Sequence, residues 1–313
     1  MKIDLNYFPG FTRKAVTFTI DDGHVVLDKK FIDIVKPHGI KGTFNLHRVN
    51  WKDFSHDDYR ALYDGFEIAN HCKEHPFALH DGKEYTFSDE YYYEGMPLNN
   101  GVLYKTENPM ILIEMTEEYW AHKKRIATNE NYMALIREMQ SELEEIFGEG
   151  KIRGFVWPYG GQPNKALKEK IANCGLFYGM RTVGTPREDD DFSLPKNRMA
   201  WVYNARHSDM LKIAERFAAY EDDGKLKWFC FGVHSHDFES AGNWCDLEEF
   251  ARKYGDRPEE FYYASNGEIF DYEDAVKSVV VTESSVHNPS NIDLYIKLDG
   301  ENTVLKAGET KNF

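Results

Sequence analysis

Residues 15–23 read Ala15-Val16-Thr17-Phe18-Thr19-Ile20-Asp21-Asp22-Gly23. Six apolar or β-branched residues in succession predict a strand buried on both faces, as in the parallel sheet of an α/β fold. The two carboxylates and the glycine that follow end it abruptly. In parallel α/β folds the carboxyl ends of the strands face the ligand crevice, so Asp21 and Asp22 stand where a site is built. Asp-Asp-Gly is also ordinary turn chemistry, and the segment alone does not choose between the two readings.

Outward from this strand the pattern alternates. Leu27, Phe31, Ile34 and Val35 share one helical face, closed by Pro37 and Gly39. Thr43 to Leu46 is a second strand. Ser55 with Asp58 marks a helix start and Gly65 its end. Phe66 to Ala69 is a third strand, delivering His71 at its end. A helix over Asn131 to Phe147, a strand over Ile152 to Trp157, a helix over Asn164 to Cys174 and a strand over Phe177 to Thr182 continue the rhythm. A helix after Ser208, the strand Trp228 to Val233, a helix after Asp246, the strand Phe261 to Ala264 and a helix over Glu268 to Lys277 complete it. Repeated β-α units predict a parallel sheet, open or closed into a barrel, over residues 1–277. Residues 79–125 interrupt it as a long, irregular insertion rich in aromatics (Tyr85, Phe87, Tyr91, Tyr92, Tyr93, Tyr104, Tyr119, Trp120), the kind of segment that serves as a lid or packs on the body. Residues 278–313, Val-rich with turn signals at Asn288-Pro289, Asp299-Gly300 and Ala307-Gly308, predict a small antiparallel β appendage.

The chain carries 38 basic and 53 acidic residues, a formal charge of −15, which argues against nucleic acid or an anionic membrane as partner. No apolar stretch approaches the ~18 residues of a membrane span, and no secretory signal pattern opens the chain. Four scattered cysteines (Cys72, Cys174, Cys230, Cys245) lack C-x-x-C spacing. The expectation is a cytoplasmic location; the oligomeric state is not legible.

Two further segments supply chemistry. His71 and His75 stand at i, i+4, a spacing that puts two imidazoles on one side of a helical turn where they can share a metal. Two His and one Asp leave coordination positions open on Zn²⁺ or Fe²⁺, as catalysis requires. His234 follows the apolar run Trp228 to Val233, another strand end, and His236 faces the same way if the strand continues. One buried structural histidine is the plainer account of that pair.

Together the segments resemble the polysaccharide deacetylase (NodB-homology) family, carbohydrate esterase family four. Thr19-Ile20-Asp21-Asp22-Gly23 matches its first motif, His71-Cys72-Lys73-Glu74-His75 its second and Pro158-Tyr159-Gly160 the end of its third; His234 matches its last. The resemblance covers roughly Lys14 to Lys277. It implies a distorted (β/α) barrel and metal-dependent removal of an N-acetyl or related acyl group from an N-acylated saccharide. Asp22, His71 and His75 would hold a divalent transition metal, Zn²⁺ foremost. Asp21 would be the general base toward the attacking water, the Tyr159 backbone N–H an oxyanion donor, and His234 the acid that protonates the leaving amine.

The chain departs from the pattern at Val156, where the family usually carries an arginine that orients the base; Arg153 or Arg181 are candidate substitutes. Cys72 replaces a hydroxyl residue, and Gly232 stands where a bulky aliphatic often lines the acyl pocket. Asp209, Trp201 and Asp237 are candidates to orient His234. The alternatives are hydrolysis of a non-sugar amide on the same fold, or a carbohydrate-binding protein that has lost catalysis. An iron oxygenase would use the same ligand set.

Overall fold

The computed structural model describes residues 1–49, 54–78, 86–92, 110–114, 124–160, 164–179, 191–201 and 203–313. Strand β1, Lys14–Asp22, is its axis. Alternate side chains leave β1 on opposite faces. Val16, Phe18 and Ile20 enter the main core with Phe31, Ile32, Leu247 and Phe250, the Phe18 ring meeting Phe31 and Phe250 edge-on at 5.4 and 5.1 Å. Thr17, Thr19 and Asp21 point to the other face and are buried too. A strand covered on both sides must be apolar outward and hydrogen-bonded inward, which is why its inner row is polar but small.

The strands β2 (Gly42–Leu46), β3 (Glu67–Asn70), β4 (Gly154–Phe155), β5 (Tyr178–Gly179), β6 (Lys227–His234) and β7 (Phe261–Tyr263) complete a seven-stranded parallel sheet ordered β5-β4-β3-β2-β1-β6, with β7 also pairing with the start of β1. The sheet curls into a half-barrel, the distorted (β/α) barrel that the sequence predicts. Between β5 and β6 the described chain crosses the gap mainly without strand pairing; Ala205 makes a single parallel bridge to Phe231.

Helices α1 (Val25–Val35), α2 (His56–Leu62), α3 (Asn129–Phe147), α4 (Lys165–Ala172), α5 (Met210–Ala218), α6 (Ser235–Ala241), α7 (Trp244–Tyr254) and α8 (Asn266–Ser278) flank the sheet. The Ser55–Asp58 capping box opens α2 as predicted, and a second box, Ser265–Glu268, opens α8. Helix α3 buries Met133, Ile136, Met139 and Leu143 and ends at Gly148 with φ 108°. Helix α6 was not foreseen: it begins directly after His234, so His236 lies on a helix and not on a continuing strand. Among the described residues no helix is long and apolar enough to cross a membrane.

The insertion is more regular than expected. Phe77–Ala78, Lys124–Ala127, Met110–Glu114 and Thr86–Tyr92 pair in that order into a four-stranded sheet. Tyr85, Tyr93, Tyr104, Tyr119 and Trp120 lie outside the described residues, as do Arg181 and Thr182. At the C-terminus Val280–Val281, Ser285–His287 and Thr310–Asn312 form one antiparallel sheet. Leu294–Leu298 and Glu301–Leu305 form another, joined through the two-residue turn Asp299-Gly300, whose φ of 48° and 90° suit a twisted hairpin. The N-terminal strand Ile3–Tyr7 adds to its edge. The Tyr272 hydroxyl on α8 clasps the two ends, donating to the Tyr7 carbonyl (2.6 Å) and accepting from the Tyr295 N–H (3.0 Å).

Candidate metal centre and catalytic groups

At the end of β1 the strand alternation stops, because Asp22 adopts φ 78° and Gly23 φ 69°. At φ 69° a side chain on Gly23 would be strained and would also lie 2.7 Å from Leu46 Cδ2, so glycine is favoured where the chain turns into α1. The segment after β3 is turned in the same unusual way. Cys72, Glu74 and His75 all have left-handed φ (56°, 67° and 47°), so the two histidines meet across a tight loop and not on a helical turn. The i, i+4 spacing is right for the wrong reason. Asn70 holds the loop by accepting from the Cys72 N–H (2.9 Å) and donating to the Ile136 carbonyl (2.8 Å), and Lys73 pairs with Glu142 and Glu138 on α3 (2.7 and 3.1 Å). Cys72 is fully buried beneath it. Left-handed non-glycine residues are uncommon, and Asp22, Cys72, Glu74 and His75 bring four of them to these two strand ends.

The result is three ligand atoms in one place. Asp22 Oδ1 stands 3.4 Å from His71 Nε2 and 3.4 Å from His75 Nε2. Tetrahedral ligands at bond lengths of ~2.1 Å are ~3.4 Å apart, so these separations are those of a metal-binding set and long for hydrogen bonds. His71 Nδ1 faces the Val156 carbonyl at 2.8 Å; a carbonyl only accepts, so Nδ1 carries the proton and Nε2 presents a lone pair to Asp22. Asp22 Oδ1 and His71 Nε2 are both sealed from water, and neither makes a hydrogen bond among the described residues. Two buried acceptors facing each other call for a cation between them, and the donor set fits a divalent transition metal. Burial works against ionisation of Asp22, but in metal-free protein with the neighbouring imidazoles protonated, His71, then His75 and His234, outweigh it and hold its carboxyl well below the usual carboxylate range.

The other groups surround this set. Asp21 is buried at the end of β1, in register with Asn45 on β2 and His234 on β6. His234 Nε2 stands 3.8 Å from Asp22 Oδ2, and Nδ1 is 2.9 Å from Asp237 Oδ2. Of the three candidates to orient His234, Asp237 is therefore the one in contact; the Trp201 ring packs on Trp228 instead (5.1 Å), and Asp209 receives the Arg206 N–H (2.6 Å) at the start of α5. His234, His236 and Asp237 also lie within ligand distance of one another. Asp237 Oδ2, however, already accepts from both the His234 N–H and its Nδ1, and the group reads as a helix cap and not as a second metal site. Tyr159, at φ 60° in the Pro158–Gly160 turn, packs its ring on His75 at 4.6 Å and on Phe77 at 5.2 Å.

Two residues escaped the sequence reading. His47, one position past β2, is buried with its ring 5.0 Å from that of His75 and 6.2 Å from that of His71; burial first, then the neighbouring His75, keeps it neutral well below the usual histidine range. Asn45 donates from Nδ2 to Asp21 Oδ1 at 2.7 Å. Both stand at a strand end, the signal that singled out Asp21, His71 and His234. Arg153 does not take the part of the missing arginine: its guanidinium grips Asp271 (2.8 and 3.1 Å) and lies over the Phe177 ring.

The family model of the polysaccharide deacetylases matches residues 9–179, more than half of the 313-residue chain. The chain belongs to the polysaccharide deacetylase family. Solved structures similar to it include an esterase of carbohydrate esterase family four from Streptococcus mutans (17% identity, 81% of this chain and 86% of that one, TM-score 0.44). Others are the peptidoglycan deacetylase PdaC from Bacillus subtilis (16% identity, 85% and 94%, TM-score 0.45) and a polysaccharide deacetylase from Bacillus cereus (16% identity, 81% and 92%, TM-score 0.45). No protein of curated function matches the chain. Within the deacetylase family, the match spans the metal-ligand loops of β1 and β3 and the Pro-Tyr-Gly turn; His234 lies beyond it.

Proposed function

We propose that this member of the polysaccharide deacetylase family is a metal-dependent hydrolase that removes an N-acetyl or related acyl group from an amino-sugar-containing substrate. The observation that carries the reading is the trio Asp22, His71 and His75, with ligand atoms 3.4 Å apart, beside a buried Asp21 and an aspartate-backed His234. Asp22, His71 and His75 would hold the ion, Zn²⁺ by the chemistry of two imidazoles and a carboxylate. Such an ion lowers the pKa of water toward ~7 and polarises an acyl oxygen, which supplies nucleophile and electrophile together at neutral pH.

The remaining steps fall to the protein. Asp21 accepts the proton released by the attacking water. The Tyr159 N–H donates to the developing oxyanion, a contribution of about 3 kcal/mol for one such donor. His234 delivers a proton from Nε2 to the leaving nitrogen, because an amine anion is too poor a leaving group to depart unprotonated. Asp237 accepts from Nδ1, which leaves the Nε2 lone pair of the neutral ring as the place where the deliverable proton is taken up, and it stabilises the imidazolium so formed. Family membership supports an N-acylated saccharide as the substrate class. A non-sugar amide is the second reading, since the fold does not settle the substrate.

The test is acetate release from N-acetylated oligosaccharides by protein stripped with a chelator and reloaded with one equivalent of Zn²⁺. Turnover that disappears on stripping and returns with metal is expected. Hydrolysis of simple aryl acetamides, with none of any N-acetylated sugar, would sink the carbohydrate reading and leave the second.

A further inference from the structure

A general base must be held in one orientation, since a carboxylate free to rotate spends little time aimed at its water. In this chain the position that the family pattern gives to an arginine is Val156, and its carbonyl is engaged with His71. Across the strand pair, Asn45 of β2 is the register partner of Asp21. It is completely buried. Its Nδ2 lies 2.7 Å from Asp21 Oδ1 and 2.8 Å from Thr19 Oγ1.

We propose that Asn45 is the positioning residue for Asp21, orienting the base through a neutral amide in place of the arginine. The proposal rests on the reading of Asp21 as the base. The amide nitrogen can only donate, and both neighbours are acceptors, so its two hydrogens are committed and it cannot turn without losing a bond. Thr19 is itself fixed, accepting from Asn266 Nδ2 at 3.4 Å. The Asn266 N–H donates to Thr43 Oγ1 (2.9 Å), which donates to Glu67 (2.8 Å). A ladder of buried polar side chains thus runs down the inner face of the sheet and ends at Asp21. In that dry setting a hydrogen bond to a carboxylate is strong and its loss leaves a buried acceptor short of a partner. At position 156, where the family pattern has an arginine, this chain has Val156, and among the described residues a donor to Asp21 arrives from the adjacent strand.

The experiment is steady-state kinetics of acetate release by Zn²⁺-loaded Asn45→Leu and Asn45→Ala, with bound Zn²⁺ and thermal unfolding measured on each, and Asn45→Leu repeated in an Asp21→Asn background. Leucine keeps the volume and removes the donor. The proposal expects kcat to fall about 100-fold in both variants, with KM and one bound Zn²⁺ unchanged. It further expects no additional loss when Asn45→Leu is added to Asp21→Asn. Wild-type kcat in Asn45→Leu, or a loss that multiplies that of Asp21→Asn, overturns it. Unfolding or loss of Zn²⁺ in both variants overturns it in favour of a framework role. Full activity of Asp21→Asn alone overturns the base assignment beneath it, and is so told apart from a failure of Asn45.

Discussion

The two halves of the site are built by opposite means. On the ligand side, Asp22, His71 and His75 are brought together by backbone in left-handed conformations, around a loop sealed by Asn70, Cys72 and Lys73. On the side proposed to deliver the proton, His234 sits at an unstrained strand-to-helix junction (φ −106°, ψ 142°), over a third exposed, and is oriented by the side chain that caps α6. The first arrangement costs backbone energy that the bound ion would offset, and it specifies three atoms at fixed separations. The second costs almost nothing and leaves its histidine accessible. A ligand set must be rigid before the ion arrives, whereas a proton donor must reach a substrate that comes and goes.

That contrast can be broken by mutation. His71→Ala and Asp22→Ala should lose bound Zn²⁺ and at least about 1,000-fold in kcat, as expected when several kcal/mol of electrophilic stabilisation vanish; retention of metal in either would dissolve the ligand side. His234→Ala should keep one equivalent of Zn²⁺ and lose about 100- to 1,000-fold in kcat. Metal analysis beside kinetics reads both, and a loss of metal in His234→Ala would show that the halves are one unit.

A smaller effect sharpens the comparison by probing what lies beneath the proton-delivery side. Asp28 on α1 is fully buried, accepting from Ser235 Oγ (2.6 Å), next to His234, and from Tyr63 Oη (2.7 Å). Burial pushes its carboxyl up to about 6 from 3.8, against the pull of those two bonds. The folded state then keeps a proton that the unfolded chain releases between these values. Stability should therefore be greatest below pH 4 as far as this group is concerned. It should fall by up to about 3 kcal/mol as pH rises to 6, and then level off. Thermal unfolding of metal-free protein should show this slope in the wild type and not in Asp28→Asn; equal slopes would remove Asp28 from the account.

Much of the fold was legible because its signals are local. The unbroken apolar and β-branched run of Ala15 to Ile20, the capping box at Ser55 and the Asp299-Gly300 turn each act within a few residues. The candidate site could be grouped for a different reason: strand ends bring distant residues together, so Asp22, His71 and His234 could be put in one place without knowing a single contact. What escaped depended on cross-strand register. Asn45 matters because it lies opposite Asp21, and nothing in Thr43 to Leu46 announces that pairing. The geometry of the histidine loop escaped because i, i+4 spacing is shared by a helical turn and by a tight left-handed loop, and φ at Cys72, Glu74 and His75 is set by the packing beneath them. Helix α6 escaped because its seven residues are too few for a periodic pattern.

The Tyr272 clasp has a consequence in time as well as in space. The strand Ile3–Tyr7 leaves the ribosome well before its hydrogen-bonding partner Leu294–Leu298, which follows about 290 residues later. At ~5–20 residues per second that is a wait of roughly 15–60 s. Throughout it the opening strand has an open edge and the Tyr7 carbonyl has no hydroxyl to accept from. The half-barrel can gather the loops that carry Asp22, His71 and His75 while this seam is still open, and the hairpin of Leu294–Leu298 and Glu301–Leu305 then closes it.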